Sequence, residues 1–75
     1  MGILGKRYHY IIAQDGCPPV WDSEHTEIFR NPVSTGDHIM PVRMGEKVRK
    51  VLRIEHYRQG SVLYVEEVNV YNTRR

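Results

Sequence analysis

Four histidines, His9, His25, His38 and His56, and one cysteine, Cys17, are the side chains of this sequence with the widest chemical options. Imidazole and thiolate are the ligand types of a zinc site. Their spacing is wrong for a local one. There is no Cys-x-x-Cys, no His-x-x-x-His and no His-Glu-x-x-His. A metal site would have to assemble in space or across a symmetric interface. The simpler reading is four ordinary, partly exposed histidines, with no metal and no cofactor.

Nucleophilic chemistry is as thinly supported. A catalytic Cys17 needs a lowered thiol pKa and a base within reach. Its neighbours are Gly16 and Pro18, and the nearby charge of Asp15 opposes thiolate formation. Asp22, Ser23 and His25 have the residue types of a triad, but triad members converge from separate elements. Glu66 and Glu67 are adjacent, so on a strand they point to opposite faces and cannot act as a dyad. No Gly-Lys-Ser or Gly-Lys-Thr marks a phosphate loop. The expectation is a protein that is not an enzyme.

The richest pattern is cationic. Arg43, Lys47, Arg49, Lys50, Arg53 and Arg58 fall close together, with Tyr57 among them and Tyr64 just beyond. Nucleic-acid binders combine phosphate-neutralising cations with aromatic platforms. In a regular strand Arg49, Arg53 and Tyr57 share one face, with the two arginines ~13 Å apart. These eight residues form the candidate polyanion site. The competing reading is a solvated edge strand, where Lys and Arg block aggregation.

That pattern sits in a polarised chain. Residues 15–37 hold Asp15, Asp22, Glu24, Glu27 and Asp37 against Arg30, whereas the basic residues lie in 43–58. The formal net charge is only +2. The halves either face each other, within the chain or across a dimer, or the basic half meets a polyanion.

The elements that must position these groups read as strands. The stretch 46–71 forms one long hairpin around the turn Arg58-Gln59-Gly60-Ser61. Its returning run, Val62-Leu63-Tyr64-Val65, is apolar on both faces. Glu66-Glu67 marks a bulge or the emergence of the strand into water. The outgoing run also fits a helix over 46–57 through Val48, Val51, Leu52 and Glu55. Residues 7–14 alternate as a first strand, again apolar on both faces, so either a central place in the sheet or a place in a closed barrel is expected. Pro18 and Pro19 make the next segment an extended connection, with Trp21, the only tryptophan, plugging one end of the core. Residues 23–30 suit either a strand or one short helix capped by Ser23. Residues 38–42 read as a short edge strand, because Pro41 cannot donate to a ladder. Residues 72–75 form a frayed polar tail.

Seventy-five residues give one small domain, 1–75. A lone cysteine allows no intrachain disulfide, and a short core without staples favours oligomerisation. MGILGKRYHY contains no apolar segment of signal length, and no run approaches a membrane span. The expectation is therefore an all-β domain, a small antiparallel barrel or rolled sheet of five to six short strands with at most one short helix at 23–30. It acts in the cytoplasm, away from membranes, as a binding or assembly module. Its first expected partner is itself, through a face over Leu63 and Val65. The alternative partner is nucleic acid or an acidic protein surface, met by the basic strand with Tyr57 and Tyr64.

Overall fold

A computed structural model describes residues 7–41 and 45–68. Five strands follow in order: β1 (Tyr8–Gln14), β2 (Thr26–Phe29), β3 (His38–Ile39), β4 (Val48–Tyr57) and β5 (Gly60–Val68). They form one sheet in the spatial order β2-β1-β5-β4-β3, rolled into a half-barrel. Three ladders are antiparallel, and the central one, β1 with β5, is parallel. The sheet is thus mixed. Its parallel pair joins the two strands that are apolar on both faces, as parallel strands covered on both sides usually are.

Both faces of that central pair are buried. On the inner face Tyr10, Ile39, Val51, Leu63 and Val65 form a cluster, with Tyr8, Ile12, Phe29, Val33 and Ile54 packed against it. On the outer face Ile11, Ala13, Val62 and Tyr64 form a second. Val51, Val62, Leu63 and Val65 have no exposed surface. Each such side chain contributes about 1.5–3 kcal/mol of burial.

Residues 15–22 border the outer cluster, and the Arg53 guanidinium lies over its Tyr64. The Asp15 N–H donates to the Val65 carbonyl at 3.1 Å, which fixes the start of this strap. Further along, Cys17, Pro18 and Val20 line a recess with Ala13, and Trp21 lines another with Ile11. Trp21 does not plug the core. It is 37% exposed and lies on the surface, against Gly60 and Tyr57.

Residues 23–30 combine the two expected forms. A 3-10 turn over Ser23–His25 leads directly into β2. Its cap is Asp22, one residue before Ser23, whose carboxylate accepts from the His25 N–H at 3.0 Å. The helical alternative for 46–57 is overturned, since β4 runs from Val48 to Tyr57. The turn at Arg58-Gln59 lies as expected, and Glu66 and Glu67 emerge into water. The hairpin's bulge lies in the other strand. Val51 opposes Val65 and Arg53 opposes Tyr64, so Leu52 is the extra residue. The expected tail at 72–75 lies outside the described residues. Among the described residues no helix is long and apolar enough to cross a membrane.

Candidate functional site

The bulge at Leu52 decides what the basic strand can do. Cross-strand partners share a face, so Arg49, opposite Glu67, points inward like Val51 and Val65. Arg53, opposite Tyr64, points outward with Glu55 and Tyr57. The expected row of Arg49, Arg53 and Tyr57 on one face is therefore split between two faces.

Both arginines are also occupied. Arg49 donates through Nη1 and Nη2 to the two oxygens of Glu27, at 3.0 and 3.2 Å. Arg53 donates to Glu55 at 3.1 Å and to Asp15 at 3.2 Å, and its guanidinium stacks 4.1 Å from the Tyr64 ring centroid. Glu27 and Asp15 belong to the acidic segment, so the acidic and basic segments meet within one chain. Tyr64 is buried at 5% exposure, with no ring face left for a base. The Tyr57 hydroxyl donates to Glu55 at 2.6 Å. Lys50 stands across the ladder from Glu66. Lys47 and Arg58 are exposed, and Arg43 lies outside the described residues.

This outer network shifts its own titrations. The Glu55 carboxyl is held below its ordinary value by the Tyr57 hydroxyl first and the Arg53 guanidinium second. The Tyr57 phenol is pushed well above its ordinary value, mainly because it donates to that carboxylate. Arg53 is held charged by Glu55 and Asp15.

The remaining chemical groups disperse. Among the described residues no three His, Cys, Asp or Glu side chains gather as a metal would require. Cys17 is exposed and lines a recess with His25, whose ring is 2.6 Å from Asp22. That pairing lowers the Asp22 pKa. The His56 ring nitrogen Nδ1 lies 2.8 Å from Ser61 Oγ, a nucleophile-to-base distance. No described carboxylate is hydrogen-bonded to His56 to orient it, and the pair lies directly across the hairpin ladder.

Leu63 and Val65, the expected oligomer face, have no exposed surface in a single chain. The chain covers them itself. Exposed apolar surface lies instead at the two ends of the sheet order. Met40 is 62% and Ile28 54% exposed, the highest values among the large apolar side chains of the described residues. Both line an opening between the edge strands β2 and β3, of about 500 Å³, together with Phe29, Val33, Ile39 and Arg30. No local pattern marks it, because Ile28 and Met40 are isolated in sequence and border one opening only when the sheet rolls.

A second exposed group is aromatic. Trp21 and Tyr57, 37% and 44% exposed, meet edge to face at 5.6 Å. Trp21 also borders a cleft of about 250 Å³ with His9, Asp22, Gln59 and Ser61. Comparison with protein-family models, with curated proteins and with solved structures finds no significant match to the chain.

Proposed function

We propose that this domain is a non-enzymatic binding or assembly module that works as a homo-oligomer. The observation that carries the reading is the opening between β2 and β3. Its rim holds the two most exposed large apolar side chains among the described residues, and its flanks are the two strands with one neighbour each in the described sheet. A symmetric pair requires a surface that complements itself. What supports such a pairing at the rim is apolar Ile28 and Met40 beside charges of both signs, Arg30 and Asp37. A cytoplasmic setting fits the exposed, unpaired Cys17, which a reducing compartment keeps as a thiol.

Sedimentation tests the reading. The expected mass at micromolar concentration is twice the 8.8 kDa of one chain, or a higher multiple. Met40→Asp and Ile28→Asp should each return the chain to a monomer without altering its β-sheet circular dichroism. A wild-type monomer at that concentration removes the proposal.

A further inference from the structure

The register gathers three arginines from distant parts of the sequence at one end of the sheet. Tyr8 lies opposite Phe29, so one step further out Arg7 and Arg30 flank the same edge. Tyr10 is level with Ser61, and Tyr57 is opposite Gly60. The β4–β5 turn that holds Arg58 and Gln59 therefore closes the same end. With strands ~4.8 Å apart, Arg30, Arg7 and Arg58 stand on neighbouring strand ends. All three are exposed, and none has an ion-pair or hydrogen-bond partner among the described residues.

Among the described residues, acidic side chains gather at the opposite end of the strands. There Glu24, Glu27, Glu46 and Glu67 border one opening, with Lys47 and Arg49. Among the described residues, the charge split along the sequence thus gives way to one along the strand axis. A field of this kind orients an approaching polyanion toward the arginine end.

The arginine end is also where the exposed aromatic rings lie. Trp21 rests over Gly60, and a Cβ at that position would sit 3.3 Å from its ring. Gly60 therefore lets the indole lie close over the hairpin beside Tyr57. The cleft next to it offers the Gln59 amide and the His9 imidazole. It also contains the Asp22 carboxylate, the one acidic group there, which is engaged by the His25 backbone and ring.

We infer that this end of the half-barrel binds single-stranded nucleic acid, with phosphates at Arg7, Arg30 and Arg58 and bases stacked on Trp21 and Tyr57. Unpartnered cations attract any polyanion, but exposed rings reward only one that carries bases. A duplex buries its base faces, and an anionic membrane or an acidic protein surface has none. The site shares only Arg30 with the β2–β3 opening, and a monomer would carry it as well as an oligomer.

The test uses the full chain and an oligothymidylate of about ten nucleotides, within the usual span of such sites. Trp21 is the only tryptophan, so its fluorescence reports stacking directly. The expected result is quenching on binding, with a log–log salt slope near −2 from about 0.7 per neutralised phosphate. Arg58→Gln should weaken binding and reduce that slope by about 0.7, while Lys47→Gln at the acidic end leaves both unchanged. Tyr57→Leu should weaken binding roughly tenfold at an unchanged slope, read by anisotropy of labelled oligonucleotide. Circular dichroism of each variant confirms the fold. Three results overturn the site: no binding at low salt, binding without Trp21 quenching that inorganic polyphosphate matches, or a slope that responds to Lys47→Gln and not to Arg58→Gln.

Discussion

Arg49 of β4 and Glu27 of β2 form a two-pronged ion pair at 3.0 and 3.2 Å, although β1 and β5 lie between their strands. A flat sheet would hold β2 and β4 ~14 Å apart. The pair forms because the sheet rolls, and it ties the edge strand β2 to β4, the strand next to the far edge. Arg rather than Lys suits this place, since the planar fork meets both carboxylate oxygens at once. The side chains are 22% and 38% exposed, so water screens the pair only in part.

Breaking that tie should cost stability. Glu27→Gln and Arg49→Met should each lower it by about 1–2 kcal/mol, a partly exposed charge-assisted pair discounted for screening. For a domain of this size each would reduce the melting temperature by roughly 4–15 °C. The double variant should lose less than the two single losses added, because the second change removes a charge already stranded by the first. Strict additivity in thermal melts would mean that the two side chains do not interact in solution.

Leu63 and Val65 should behave as core residues and not as an interface. Leu63→Ala should lose about 2–5 kcal/mol, enough to threaten so small a domain. Val65→Ala should lose less, having fewer carbons to remove. Met40→Asp, by contrast, should leave the melting temperature of the monomer nearly unchanged, because its side chain is 62% exposed. Urea unfolding at low protein concentration separates these cases. A Leu63→Ala domain as stable as wild type would contradict the covered inner face.

The strands themselves were legible from residue pattern. Two-faced apolar runs at 10–13 and 62–65 read as strands that need cover on both sides, and they pair in the interior of the sheet. Their mutual pairing is parallel, which no local pattern encodes, because it depends on how the chain crosses between β1 and β5. The face of each arginine was illegible for a sharper reason. A period of two predicts orientation only while the ladder is regular, and one extra residue at Leu52 reverses it for everything beyond. That single bulge turned an apparent cationic track into one inward and one outward arginine, each with its own carboxylate. Trp21 was misplaced because size and hydrophobicity argue for burial, whereas the strap of residues 15–22 lays it over a glycine on the surface. The arginine end was invisible along the sequence, since its members come from just before β1, just after β2 and the β4–β5 turn.

Gly60 is where backbone and side-chain demands coincide. Its φ of +154° is a conformation that side chains rarely adopt, and an added Cβ would press on Trp21 at 3.3 Å. Gly60→Ala should therefore destabilise the domain by about 1–2 kcal/mol. It should also displace the indole, changing the emission maximum and quantum yield of Trp21 in the folded state. Equal stability together with unchanged emission would show that the hairpin accommodates the methyl group and that glycine is dispensable there.

The outer network sets the pH behaviour. Glu55 is held below its ordinary pKa by the Tyr57 hydroxyl and then by Arg53, and Asp22 is held low chiefly by the His25 ring. For a depressed carboxyl the unfolded chain takes up its proton first. The stabilisation is therefore complete above the ordinary carboxylate range, about 4, and is lost as pH falls through the folded value. Tyr57 is shifted the other way, upward. Its contribution is complete below the ordinary phenol value near 10 and is lost as pH rises through the folded one. These three groups together predict a flat stability between the two limits and losses at both extremes. Tyr57→Phe separates the causes. It removes the strongest donor to Glu55, so the Glu55 carboxyl, followed by carbon NMR, should titrate at a higher pH than in wild type. If Glu55 titrates identically in both proteins, the 2.6 Å hydrogen bond does not govern its charge.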